Sequence, residues 1–298
     1  MPTILSPEAL QKIKRLDLRA RMVVRGFLQG LHTSPLQGFS VQFSEHRRYN
    51  RGDDPKLIDW LVYAKTDKHY IRRYEAETNL TGYLVMDLSK SMGFAGSSGG
   101  DSMTKFDYCM CLAASLTYLM TMQQDPIGVL TFRDKLRAVL PARSRRGHLG
   151  DVMAALSSMT PDGTTELPHS LTQVAAMMRH SSLIMLFSDL LSDPEETISS
   201  LARLRHSGHD VIVFHVLDHV EVDFPFEGPI EFEDPESGEI VTVDAAGFRD
   251  QYLRTLERFR TTYREGCHRV RVDYVPLDTS EPFDKALTEY LIQRQSKF

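Results

Sequence analysis

The stretch GYLVMDLSKS, residues 82–91, dictates the fold. From Gly82 to Met86 it is an apolar run of β-type residues without polar alternation, as expected of a strand buried on both faces. It then gives way to Asp87, Ser89 and Ser91. Alternate side chains of an extended segment point the same way, so these three oxygen-bearing groups face one side. A second run of the same kind, SLIMLF at 182–187, ends in Ser188-Asp189. Between the two lies Pro161-Asp162-Gly163-Thr164-Thr165-Glu166, a Gly-bearing loop just before a helical pattern.

Further β-type runs lie outward of these, at Ile127 to Phe132, Val211 to Val216 and Val270 to Val275. Helical periodicity covers Thr104 to Met122, Arg146 to Met159, Leu167 to Arg179, Pro194 to His206, Gly247 to Tyr263 and Pro282 to Gln295. Strands separated by helices of this length predict an α/β fold, a doubly wound and mostly parallel sheet covered on both faces. Pro229 to Asp244, with Pro-Glu-Ser-Gly at its centre, interrupts the scheme and reads as an acidic hairpin inserted near 220–245. Residues 81–298 are expected to form this α/β domain. Residues 1–80 form a front segment, expected to be a small β-rich subdomain with one helix. That helix opens at Ser6-Pro7-Glu8 and runs to about Phe27 on Leu10, Ile13, Leu16 and Ala20. A break at Gly30 to Ser40 follows, with strand-like stretches at Ser40 to Phe43 and His69 to Glu77.

In open α/β sheets, ligands sit in the crevice beyond the carboxyl ends of the strands. Asp87, Ser89, Ser91, a loop threonine and Asp189 are therefore expected at one rim. Two carboxylates with hydroxyls make a hard-oxygen site of low charge count. It suits Mg²⁺, or another divalent cation such as Mn²⁺, which keeps several of its waters. A retained water position is also where a partner's carboxylate could enter.

The order of these residues resembles the metal-ion-dependent adhesion site of von Willebrand factor A domains. Thr165, which follows Gly163-Thr164, matches that family's threonine better than Thr164 does. Upstream, RYNRGDDPKLIDW at 48–60 resembles the signature of the bacterial domain of unknown function 58 family, with Lys56 and Lys65 where Arg is usual. The resemblance implies a von Willebrand factor A/Rossmann-like fold with a metal at Asp87, Ser89, Ser91, Thr165 and Asp189. It also implies a protein-interaction module rather than an enzyme: a partner of a MoxR-type AAA+ ATPase in chaperone-like assembly or metal insertion, acting on a client that the sequence does not name.

Composition agrees with a globular chain. With 298 residues, 42% hydrophobic and 25% charged, it is not disordered, collagen-like or a coiled coil. Cys109, Cys111 and Cys267 are too few for a disulfide framework and point to a reducing compartment. The longest uncharged stretch, Tyr108 to Gln124, falls short of the roughly 20 apolar residues of a membrane span. With no secretory signal visible, a cytoplasmic location is expected. Residues 1–80 carry 14 Lys and Arg against 9 Asp and Glu, whereas His206 to Phe248 holds 11 acids and no Lys or Arg. Beyond short pairs such as Arg47-Arg48 no basic cluster stands out, so nucleic acid is not an expected partner.

Several tempting features have plainer readings. Arg51-Gly52-Asp53 is a polar turn inside the larger signature, with Asp54 and Asp59 organising it beside Arg48 or Lys56. His206, His209, His215 and His219 lack a spacing that would turn them onto one ion, and Cys109 and Cys111 point apart on a helix. The run Met110 to Met122 reads as core. The alternative function is a Mg²⁺-dependent phosphatase-like enzyme with Asp87 as nucleophile. That chemistry wants an acid two residues on, where Ser89 stands, and a lysine, for which no place is evident. Neither a phosphate-cradling G-x-x-x-x-G-K-[ST] loop nor a G-x-S-x-G elbow occurs, and no enzymatic activity is expected.

Overall fold

The computed structural model describes residues 15–33, 46–48, 70–72, 81–96, 103–133, 135–145, 147–164, 166–235, 237–283 and 287–288. The chain divides into two units, residues 1–30 with 80–298 and residues 31–79. Helix α1 (Leu16–Thr33) buries Leu16, Ala20, Val23 and Val24, spaced as one helical face. It runs through the break expected at Gly30, as far as Thr33. In the smaller unit, β1 (His46–Arg48) pairs antiparallel with β2 (Tyr70–Arg72). The helix start at Ser6-Pro7-Glu8, the strand at Ser40 to Phe43, most of the signature at 48–60, Lys65, Thr165 and most of the helix Pro282 to Gln295 lie outside the described residues.

The larger unit alternates strands and helices. In chain order these are β3 (Gly82–Asp87), α2 (Lys105–Met122), β4 (Ile127–Phe132), β5 (Leu136–Arg143), α3 (His148–Ser157), α4 (Leu167–Met177) and β6 (Leu183–Ser188). Then come α5 (Pro194–His206), β7 (Asp210–Leu217), α6 (His219–Asp223), β8 (Pro229–Glu233), β9 (Ile240–Asp244), α7 (Ala245–Arg269) and β10 (Asp273–Asp278). Six strands form one sheet in the order β10-β7-β6-β3-β4-β5, every pair parallel except β4 with β5. Every residue of β4 and β6 is buried, which explains their unbroken apolar runs. One face carries Val85, Leu130, Ile184, Leu186 and Val213 against Leu171 of α4, Leu201 and Leu204 of α5, and Tyr263 and Cys267 of α7. Helix α2 packs against β4 and β7, so helices cover both faces.

Local chemistry sets the helix starts. Thr104 caps α2 by accepting the Asp107 N–H at 2.9 Å. Asp193 caps α5, with Pro194 at its first position. Asp218 and Glu221 form a reciprocal capping box on α6.

Two elements depart from the sequence expectation. Strand β5 was not foreseen: it is the antiparallel edge, largely exposed, and carries Arg137, Arg143 and Pro141, so it offers no apolar run. The last strand starts at Asp273, not Val270, because α7 extends past Tyr263 to Arg269. Gly266 permits that extension, since a Cβ there would lie 2.2 Å from Ile198 Cδ1 of α5. The helix ends where Arg271 turns left-handed at φ 57°. The hairpin is present as expected, β8 and β9 pairing from Pro229 opposite Asp244 to Glu233 opposite Ile240. Phe224, Phe226, Phe232, Phe248 and Tyr252 cluster at its base. Among the described residues no helix is long and apolar enough to cross a membrane.

From β3 the chain moves outward to β4 and β5, then returns to β6 on the other side of β3. That reversal puts the switch point, and hence the crevice, between the carboxyl ends of β3 and β6.

Candidate metal centre

Strands β3 and β6 run in register with Met86 opposite Phe187, so Asp87 and Ser188-Asp189 leave the sheet side by side. The Ser188 hydroxyl donates to Asp87 Oδ2 at 2.6 Å, and the Ser89 N–H donates to Asp87 Oδ1 at 2.9 Å. Ser91 sits in a 3₁₀ turn, Lys90–Gly93, and its Oγ lies 3.0 Å from Ser89 Oγ. The Gly-bearing loop is lashed alongside: the Lys90 N–H donates to Gly163 O and the Asp162 N–H to Leu88 O. Thr164 is exposed on that loop, and Thr165 lies outside the described residues. The structure thus brings together four of the five expected ligands. Asp87 and Ser89 are fully buried, Asp189 is 2% exposed and Ser91, the outermost of the four, 7%. After Asp189 the chain turns through Leu190, a buried leucine held at φ 56°. A non-glycine residue in that region marks a position fixed by its surroundings.

The expectation that no lysine accompanies these carboxylates is corrected. Lys105, the first residue of α2, is 1% exposed and donates to Asp189 Oδ2 at 2.8 Å and to Glu221 Oε1 at 3.0 Å. Glu221 in turn accepts the Asp218 N–H at 2.7 Å on its other oxygen. Sequence reasoning missed both Lys105 and Glu221, because Lys105 stands 84 positions from Asp189 and 116 from Glu221. One local signal existed: a cation in the first turn of a helix opposes the helix dipole. A lone Lys there, heading an otherwise apolar run, calls for a carboxylate partner.

Burial pulls the Lys105 ammonium down, but Asp189 and Glu221 more than offset it, and its pKa stands above the ordinary lysine value. Asp87 is pushed up to about 7, first by burial and then by the Asp189 charge, against the pull of its hydrogen bonds from Ser188 and Ser89. Burial also raises Glu221, against the pull of Lys105. When ionised, Asp189 and Glu221 outnumber the one Lys105 ammonium, and Asp87 adds a third carboxylate to the same largely dry rim, a setting in which a divalent cation would offset negative charge. The hydroxyls fit as well. Neighbouring oxygens of an octahedron with bonds of about 2.0–2.1 Å lie roughly 2.8–3.0 Å apart, which is the Ser89–Ser91 Oγ separation. Among the described residues no group of three or more His, Cys, Asp or Glu side chains is placed to hold a metal, so a cation here would rest on hydroxyls as well as carboxylates.

His215 lies beneath the rim, opposite Ser188 in β7, hydrogen-bonded to the Tyr274 hydroxyl and 5.9 Å from the Phe259 ring. Burial lowers it to about 4, with Asp189 pulling upward and Arg260 downward. Folded, it therefore binds fewer protons than the unfolded chain between pH 6.5 and about 4, so its contribution is lost as pH falls through that window. At 1.36 kcal/mol per unit the full loss is about 3 kcal/mol. The stability difference between the parent and His215→Gln should accordingly shrink from pH 7 to pH 4 in urea melts. A difference independent of pH would refute the assignment. Cys109 and Cys111 are buried in α2 and their thiols raised by that burial, in keeping with a core role.

The fold defines the class: an α/β domain built on a doubly wound, mostly parallel sheet. The chain belongs to the family described as Protein of unknown function DUF58, which matches residues 45–262. It is similar to the Uncharacterized protein Rv1480 of Mycobacterium tuberculosis, 27% identical over 259 residues, 85% of this chain and 80% of that one. Among solved structures, the conserved hypothetical protein BatB from Bacteroides thetaiotaomicron superposes with a TM-score of 0.50 at 16% identity, covering 74% of this chain and all of that one. That likeness supports the fold. The SpRpn10 VWA domain aligns with a TM-score of 0.38 at 13% identity, over 70% of this chain and 93% of the domain.

Proposed function

We propose that this chain is a non-enzymatic protein-interaction module whose rim takes a divalent cation, Mg²⁺ or Mn²⁺, and presents it to a partner's carboxylate. Asp87, Ser89, Ser91 and Asp189 would hold it, with Thr165 as the fifth donor and Thr164 as its substitute. The bound ion would supply a fixed positive charge with an exchangeable coordination position. The observation that carries this reading is the convergence of the Asp87 and Asp189 carboxylates at one buried rim beside the Ser89 and Ser91 hydroxyls. Kinship with the domain of unknown function 58 family makes a MoxR-type AAA+ ATPase the proposed partner, with an unidentified client and the cytoplasm as the setting. The phosphatase alternative is weaker, because both oxygens of Asp87 already accept hydrogen bonds and Ser89 stands where the acid is wanted.

The test is thermal. At a hundred times its Kd, Mg²⁺ stabilises a binding-competent fold by about 2.7 kcal/mol, a rise in Tm of roughly 4 °C for a chain of this size. Asp87→Ala should abolish the rise, and Ser91→Ala, which removes one hydroxyl, should reduce it. Capture of the ATPase should be lost in chelator. Neither Mg²⁺ nor Mn²⁺ shifting the parent would overturn the cation, and capture unchanged in chelator would overturn its role in binding. Turnover of a phosphomonoester abolished by Asp87→Asn would establish the enzyme instead.

A further inference from the structure

Beside the rim the charge changes sign. Residues 133–146, RDKLRAVLPARSRR, hold six Lys and Arg against one acid, in a chain whose net charge is -5. They leave β4 at the carboxyl edge and form the exposed edge strand β5. A groove of about 220 Å³ opens there, lined by Leu88, Thr160, Arg133, Lys135 and Arg137 among others. Leu88 stands between the two ligands Asp87 and Ser89, so the groove and the candidate cation site share a wall. Arg133 is fixed in it, donating to Thr160 O at 3.1 Å with Asp162 at 3.8 Å. Lys135, in the bend before β5, and Arg137, within β5, both line the groove, and both are exposed. Among the described residues neither has an ion-pair partner, whereas Arg145 is held by Asp151 at 2.9 Å.

We propose that this groove receives an acidic polypeptide segment of the partner. The segment would place one carboxylate at the rim's cation and lay its neighbouring acids along Arg133, Lys135 and Arg137. The inference rests on the proposed function for that first carboxylate and adds the class of segment the surface selects. Charge complementarity along a few residues favours a short acidic peptide over a nucleic acid. A long polyanion crossing the rim would also meet the acids of 206–248, which follow β7 on the other side of the site.

The experiment is fluorescence anisotropy of a labelled short poly-glutamate peptide with the full chain, in Mg²⁺ and in chelator. Binding should be tighter in Mg²⁺ and weaken with salt. Lys135→Glu with Arg137→Glu should lower affinity about tenfold in both conditions, about 1.4 kcal/mol, through the loss of two exposed charge contacts. Asp87→Ala should remove the Mg²⁺ increment. Equal binding by parent and double variant would overturn the groove while leaving the cation intact. An increment absent from the parent, with the double variant still impaired, would overturn the cation and leave the groove. A single-stranded oligonucleotide of equal charge that binds more tightly than the peptide would also overturn the proposal. Should the double reversal fail to fold, Lys135→Gln with Arg137→Gln provides the same comparison at smaller amplitude.

Discussion

Replacing Lys105 by Met should destabilise the chain by about 3–5 kcal/mol in urea titrations in the presence of chelator, the cost of breaking a buried ion pair from one side. Methionine matches the stem in length and in helix propensity, so the change isolates the charge. Removing a cation from the first turn of α2 relieves an unfavourable helix-dipole contact worth about 0.3–1 kcal/mol, too little to change the sign. What dominates is Asp189, 2% exposed, which loses the ammonium at 2.8 Å and has no solvent to replace it. Glu221, at 22% exposure, recovers part of its hydration and matters less. Two further results are expected. Asp189→Asn in the same background should cost less than the sum of the single changes, because the two sites act as one unit. Divalent cation should stabilise Lys105→Met more than it stabilises the parent, the rim then being one charge more negative. A loss under 1 kcal/mol would mean that Lys105 is not the internal counter-ion.

The second large effect concerns the layer beneath the rim. Phe187→Ala should cost about 3–5 kcal/mol, the range for emptying a buried aromatic site. Phe187 is fully buried one residue from the end of β6 and stacks on Phe214 of β7, with ring centroids 4.9 Å apart. Because Phe187 supplies no donor atom to the rim, the variant should melt lower yet keep the Mg²⁺-induced rise in Tm. That separates it from Asp87→Ala, which should lose the rise. A cost below about 2 kcal/mol would show that the layer collapses around the missing ring instead of leaving a cavity.

How much of this was readable from the chain follows from where the determining contacts lie. Strands β3, β4, β6 and β7 are buried on both faces, so their apolar runs are written locally and were legible. The rim was legible for a related reason: Asp87, Ser89, Ser91 and Asp189 directly follow two of those runs, and strand ends define the crevice. Lys105 and Glu221 were not, because their meeting depends on Asp189 and Glu221 converging on the one Lys105 ammonium from 84 and 116 residues away. Strand β5 escaped because an exposed edge needs no apolar run, and its basic character makes it resemble a loop. Val270 and Val272 suggested a strand start, yet the helix before them continues, fixed by the packing of Tyr263 and Cys267 and by the close approach at Gly266. Tertiary contact overrode local propensity there.

The two carboxylates of the rim hang from the innermost pair of a six-stranded sheet, with two further strands on the β6 side and two on the β3 side. Fraying at either margin can therefore proceed without prising them apart. If the proposed ion binds, it would meet a cradle whose width was settled when the chain folded, so the entropy of assembling the donors would be spent before the ion is ever encountered.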